Sequence, residues 1–168
     1  MINENFCIQT DQLSFTFVEG SKPEFLMNSK RGLVEIVYPP HTIFNRPQMQ
    51  TWLFKVVIEA LRKQAKLILP ERLQELARQN GFNYTRLSIN SARTRWGSCS
   101  SRRHINLSLF LMILPRHLSD YVLLHELCHT VEMNHGPRFW ALMDKVTGER
   151  AQSLRNELRH YPSPFKQN

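Results

Sequence analysis

The stretch Tyr121-Val122-Leu123-Leu124-His125-Glu126-Leu127-Cys128-His129-Thr130-Val131 decides how the rest of the chain is read. Taken as a helix, it places His125 and His129 at i and i+4, about 6 Å apart along the axis and facing nearly the same way. Two imidazoles so placed can grip one metal ion. Glu126 lies about 100° round the helix from His125, near enough to hold a water at the metal's open position. H-E-x-x-H on a helix is a zinc-site signature in which the histidines bind and the glutamate acts as base. Val122, Leu123, Leu127 and Val131 supply the apolar neighbours expected of a helix packed against a sheet.

A catalytic zinc takes three protein ligands and keeps one exchangeable position. His135, six residues after His129, is the leading third ligand, because the Gly136-Pro137 break frees the chain to fold its ring back. The spacing equals that of H-E-x-x-H-x-x-G-x-x-H, but Glu132 stands where that pattern has glycine, so the exit turn must be built differently, with Asn134 and Gly136 as candidates. Glu132 is a rival ligand at i+3 from His129. Its short reach favours a place beside the ligands or in solvent. Cys128 points away from His129 and reads as a small packed hydrophobe. No obvious fourth protein ligand exists, which argues against a structural zinc. With zinc in place, the implied reaction is hydrolysis with Glu126 as the proton carrier.

A chain of 168 residues is long enough for one domain with a proper core. The expected organisation is an N-terminal β arm over 1–45, a main domain over 46–161 and a tail over 162–168. The longest apolar run, Leu107 to Leu114, has eight residues including a serine, far short of the roughly 20 needed for a membrane span. The opening residues lack a signal-peptide pattern. Cys7, Cys99 and Cys128 form no CxxC pair, so a disulfide scaffold is not expected and a cytoplasmic setting is.

The net charge of +8 is uneven: residues 61–115 hold ten Lys/Arg against two Asp/Glu, whereas 1–60 hold five against six. A clustered positive region suits nucleic acid, another polyanion or an acidic substrate, although solvated basic helices are the plainer explanation.

Within 1–45, the runs Cys7–Thr10, Leu13–Val18 and Leu33–Tyr38 predict a small antiparallel sheet or arm, and His41 reads as a loop residue. Asn45 and Pro47 signal the start of a helix with an apolar stripe at Leu53, Val57, Ala60, Leu61 and Leu67. Pro70 is expected to open a second helix, Glu71–Asn80, stopped by Gly81. Alternation then predicts strands through Thr85–Asn90 and through Ile105, Leu107, Leu109 and Leu111, joined by Arg93-Thr94-Arg95-Trp96-Gly97-Ser98-Cys99-Ser100 and a turn at Ser101-Arg102-Arg103. The metal-motif helix opens near Pro115 and is expected to end near Met133-Asn134. Helices from Pro137 to Gly148 and from Glu149 to His160 follow.

Arg95-Trp96-Gly97-Ser98-Cys99-Ser100, Ile105-Asn106-Leu107, Asp120-Tyr121 with the His125–His129 motif, and Asn134-His135 with Phe139-Trp140 closely resemble the YgjP-like metallopeptidases, compact zincins related to the SprT-like and WLM families. The resemblance covers about residues 46–145. It implies an α+β zincin-like core with an antiparallel or mixed sheet packed on the H-E-x-x-H helix, and one zinc ion held by His125, His129 and His135 with Glu126 as base. It also brings Asn106 and Tyr121 into view beside Arg95, Trp96, Ser98, Cys99 and Glu132 as residues near substrate or behind the ligands. For Trp96–Ser100 the structural reading is a bend or a close backbone approach at Gly97 with Trp96 in the core. The functional reading has the segment lining a cleft, with Arg93 and Arg95 meeting an anionic group.

Three functions compete. The first is a zinc-dependent metallopeptidase acting on protein or peptide. The second is a metal-dependent nucleotide phosphohydrolase of pyrophosphatase type, suggested by Arg93, Arg95, Arg102 and Arg103 near the cleft. The third is a nucleic-acid-associated module bound through 61–115. No membrane partner is expected.

Overall fold

The structure is a computed structural model that describes residues 1–165; the last three residues of the expected tail, 166–168, lie outside the described residues. Four strands, β1 (Ile8–Gln9), β2 (Ser14–Glu19), β3 (Leu26–Lys30) and β4 (Leu33–Tyr38), form an N-terminal sheet in the order β1-β2-β4-β3. The sheet is mixed rather than antiparallel, because β2 and β4 run parallel. Their register pairs Phe15 with Val34 and Phe17 with Ile36, which sets four buried apolar side chains on one face. The parallel step is made by β3, which the periodicity did not announce. Leu26 and Met27 are both exposed, so β3 carries no buried alternation, and it returns to β4 through a turn at Arg31-Gly32 where Gly32 has φ +76°.

Residues 47–80 form one helix, α1 (Pro47–Asn80), with Pro70 inside it. The expected break at Pro70 does not occur. A proline in mid-helix removes one backbone bond and pushes back the carbonyls of the preceding turn. Arg31 serves that turn, donating from Nη1 to the Leu67 carbonyl at 2.9 Å and meeting Glu71 at 2.9 Å. The buried stripe runs through Leu53, Val57, Ala60, Leu61, Ala65, Ile68, Leu69, Leu73, Leu76 and Ala77, while Leu67 turns outward at 42% exposure. Arg46 is the cap residue and makes no side-chain cap bond, so Asn45 does not serve as the cap expected of it. Gly81 closes the helix in the left-handed conformation at φ 70°.

A second, mixed sheet follows: β5 (Arg86–Asn90), β6 (Gly97–Cys99) and β7 (His104–Ser108), ordered β5-β7-β6. β5 is parallel and β6 antiparallel to β7, which leaves β6 at an edge. The alternation expected to continue through Leu111 stops at Ser108, whose hydroxyl accepts from the Phe110 amide and starts a 3-10 turn over Leu109–Ile113. All five residues of that turn are buried, so the apolar run serves the core on every side.

α2 (Arg116–Cys128) carries the motif and packs against α1, β6, α3 (Pro137–Thr147) and α4 (Ala151–His160). It is tied to α1 by Arg72, which donates from Nε and Nη2 to both Asp120 carboxylate oxygens at 2.8 and 2.7 Å. Buried amides join the N-terminal sheet to the rest. Gln12 donates to the Leu111 and Leu114 carbonyls, and Gln64 accepts from the Gly32 amide while donating to Lys30. The architecture is α+β, with one continuous core shared by both sheets and the helices.

Candidate metal centre

α2 ends at Cys128, with His129 as its cap residue, five or six residues before the expected stop. The reason lies in the turn that follows. The Glu132 amide bonds back to the Cys128 carbonyl, and the Glu132 carbonyl in turn faces His129 Nδ1 at 3.0 Å. A helix continuing to Met133 would carry His135 away from the motif. The early exit brings it back.

The three rings converge. His129 Nε2 lies 3.2 Å from His125 Nε2 and 3.0 Å from His135 Nε2, and the third edge of the triangle is 3.2 Å. His129 Nδ1 donates its hydrogen to the Glu132 carbonyl, which leaves Nε2 as a bare lone pair. Three imidazole nitrogens facing one another cannot all be satisfied by one another, since each has a single lone pair or a single hydrogen to offer. A cation resolves the conflict. Three nitrogens about 2.0–2.1 Å from one tetrahedral ion would stand about 3.3–3.4 Å apart, close to the observed triangle. The donor set therefore fits a metal, and these three histidines form the group able to hold one among the described residues. Glu132 does not join them by its carboxylate; its backbone does the orienting instead.

Phe139, at the start of α3, stacks on His129 with centroids 4.4 Å apart and meets His125 and His135 edge-on at 4.9 Å each. Burial and the neighbouring histidines lower the His125 pKa to about 3, and burial lowers that of His129, so both rings are neutral donors. Glu126 is 5% exposed, and burial raises its pKa to about 7, with Arg95 pulling the other way. A carboxyl so placed exchanges protons readily near neutral pH.

Gly97, Ser98 and Cys99 line one wall of a cavity of about 290 Å³ opposite the histidines, Glu126 and Met133. A β-carbon at Gly97 would stand 3.0 Å from Glu126 Cγ, so the glycine is a matter of space and not of backbone angle. The Trp96 carbonyl accepts from the Ser108 amide, which fixes Trp96 and Ser108, and hence Ser98 and Asn106, as the hydrogen-bonded pairs. The backbone groups of Gly97 and Cys99 consequently face the free edge. Burial and Glu126 push the Cys99 thiol up to about 11. Cys128 is fully buried and packs as expected. Tyr121 is buried one turn before His125, with ring centroids 6.1 Å apart. Asn106 lies across the strand pair from Ser98 and is partly buried. Trp96 is partly buried against the core and also lines a second cavity with Arg95.

Sequence reading gave no role to Phe139, Trp140 or Arg155. Trp140 lies 6.3 Å from His125 by ring centroids, and the Arg155 guanidinium sits 5.1 Å over the Trp140 ring. Phe139-Trp140 stands among the residues that carry the family resemblance, and the spacing of Arg155 and Arg159 sets both on one face of the last helix.

The basic excess of 61–115 is dispersed. Arg62 pairs with Glu59, Arg72 with Glu75 and Asp120, and Arg93 lies over Phe54, while Arg102 and Arg103 sit in the exposed β6–β7 turn. Among the described residues, no helix is long and apolar enough to cross a membrane.

No curated protein matches the chain. Among solved structures, the metallopeptidase zymogen of Pyrococcus abyssi abylysin is similar over 55% of this chain and 95% of that chain, with 23% sequence identity and a TM-score of 0.48. The chain matches the description "YgjP-like, metallopeptidase domain" over residues 9–161, so the likeness takes in the N-terminal sheet as well as the stretch 46–145 that carries the motifs. The protein belongs to the YgjP-like metallopeptidase family.

Proposed function

We propose that this metallopeptidase is a zinc enzyme that cleaves peptide bonds, with His125, His129 and His135 as ligands and Glu126 as general base and acid. The observation that carries the reading is the near-equilateral triangle of Nε2 atoms with the buried Glu126 carboxyl beside it. Three histidine nitrogens and no fourth protein ligand among the described residues suit a catalytic zinc. A zinc ion held there supplies Lewis acidity, lowering the pKa of a water and polarising the substrate carbonyl.

The chain's own groups do the rest. Phe139 and the Glu132 carbonyl hold His129 in one orientation. Glu126 takes a proton from the attacking water and returns it to the leaving amine. The outward backbone groups of Gly97 and Cys99 offer an extended peptide the hydrogen bonds of an added strand, and peptide so bound passes over the histidines. That edge is what favours a peptide over a nucleotide.

The test is Glu126→Gln. The variant keeps one zinc per chain by elemental analysis and loses about 10²- to 10⁴-fold in turnover of a peptide mixture. Wild-type turnover by the variant would end the assignment of Glu126, and loss of zinc together with activity would move Glu126 into the ligand set.

A further inference from the structure

A second cavity of about 300 Å³ opens beside the metal centre, and its walls carry Arg93, Arg95, Arg155 and Arg159 with Trp96 and Tyr161. Among the described residues no carboxylate lines it. Among the described residues none of the four guanidiniums takes part in an ion pair or donates a side-chain hydrogen bond to the protein, whereas Arg31, Arg62 and Arg72 all do. Two of the four are held in place by aromatic faces: Arg93 is 4.5 Å from the Phe54 centroid and Arg155 is 5.1 Å from that of Trp140. A guanidinium held over an aromatic face keeps N–H groups available for two-point recognition of a carboxylate or phosphate. Four like charges around one cavity repel one another, and an anion relieves that repulsion.

The cavity is continuous with the site along the chain. Arg95 and Trp96 run directly into Gly97, Ser98 and Cys99 of the edge strand, and α4 brings Arg155 and Arg159 up from the opposite side as an i,i+4 pair. Trp140 stands between the two, its ring 6.2 Å from His135 and under Arg155. An extended peptide advances about 3.3 Å per residue, so one lying on β6 reaches Arg95 within about two to four residues of the bond over the histidines. The Trp96 and Tyr161 walls suit the methylene stem of an acidic side chain.

We propose that this four-arginine pocket is a specificity subsite that takes an aspartate or glutamate side chain of the peptide substrate, a few residues from the bond cut. The proposal rests on the peptidase reading above and names its substrate class, peptides with an acidic residue on one side of the cleavage point. A nucleic-acid backbone offers related chemistry, and the β6 edge leading into the pocket favours the peptide.

The test uses zinc-loaded Glu126→Gln protein and fluorescent ten-residue peptides with amidated C-termini, in which a single Glu or Gln is moved along an otherwise neutral sequence. Fluorescence anisotropy should show Glu tightening binding about tenfold or more over Gln at one or two positions. The double variant Arg95→Ala/Arg159→Ala, made in the same background, should lose that difference. Equal binding of Glu and Gln peptides at every position overturns the proposal, as does a Glu preference that survives the double variant. A ten-residue thymidylate that outcompetes the Glu peptide and loses affinity in the double variant assigns the pocket to phosphate and also overturns it. Cleavage of a proteome-derived peptide mixture by the wild type separates the two readings. Cleavage without acidic enrichment removes the subsite alone, whereas no cleavage with no peptide binding removes the peptidase reading and the subsite with it.

Discussion

Gly97 leaves room for Glu126, and a methyl group there would come within 3.1 Å of the Asn106 carbonyl and 3.2 Å of Glu126 Oε1. The strand backbone is pinned by its pairing with β7, so the side chain of Glu126 must give way. Gly97→Ala is therefore expected to lower kcat about 10- to 100-fold by misplacing the carboxylate. Unaltered kcat would mean that Glu126 has slack the geometry does not show. Cys99, on the same strand, gives a pH prediction. A thiol raised to about 11 is protonated throughout the physiological range, with on the order of 10⁻³ thiolate at pH 8. In metal-free protein, iodoacetamide should label exposed Cys7 first and Cys99 slowly, its rate climbing about tenfold per pH unit from 8 to 10; Cys128, pushed up to about 12 by burial, should react only after unfolding. Mass spectrometry of the labelled peptides decides. Labelling of Cys99 at the rate of glutathione at pH 8 contradicts the raised value. At this scale most of the chemistry was legible, because ligand type and i,i+4 spacing are local properties. Which group Gly97 makes room for was not, since Glu126 lies 29 residues further along the chain.

Helix ends are where pattern and structure part. The motif pattern carries on past His129, yet α2 stops there, and the Glu132 carbonyl turns back to the His129 ring instead of accepting from a further helical turn. At Pro70 the opposite holds: a local breaker is overridden by Arg31, which is distant in sequence, and by the buried faces on both sides of it. β3 carries no buried alternation, so the sequence marks neither it nor the parallel β2–β4 pairing it makes possible. The clamp between α1 and α2 carries a prediction of its own. Arg72 is 26% exposed and Asp120 is 18% exposed, and two charge-assisted bonds join them. Asp120→Asn keeps the shape and removes the charge, and should lower stability by about 1–3 kcal/mol, read as a lower urea midpoint with an unchanged slope. A midpoint within error of the wild type would show that the clamp contributes nothing net, as many more exposed ion pairs do.

Across the whole molecule, the metal and the fold are thermodynamically linked. Under the proposed ligand set, zinc at 1,000 times its dissociation constant adds about 4 kcal/mol to the folded state, on the order of 10 °C in melting temperature for a chain of this size. Stripping zinc with a chelator should lower the melting temperature by that order and re-addition should restore it; identical melting curves would remove the three histidines as ligands. Phe139 touches all three rings from α3, while His135 sits on the exposed turn between α2 and α3. The centre is thus complete only while α3 is docked. An undocked α3 withdraws His135 and the stacked ring together, leaving a two-histidine remnant with little hold on the ion. Under the proposed ligand set, a damaged or half-folded copy that has lost the docking of α3 would give up its metal, so that the ability to cut other chains would expire with the integrity of its own.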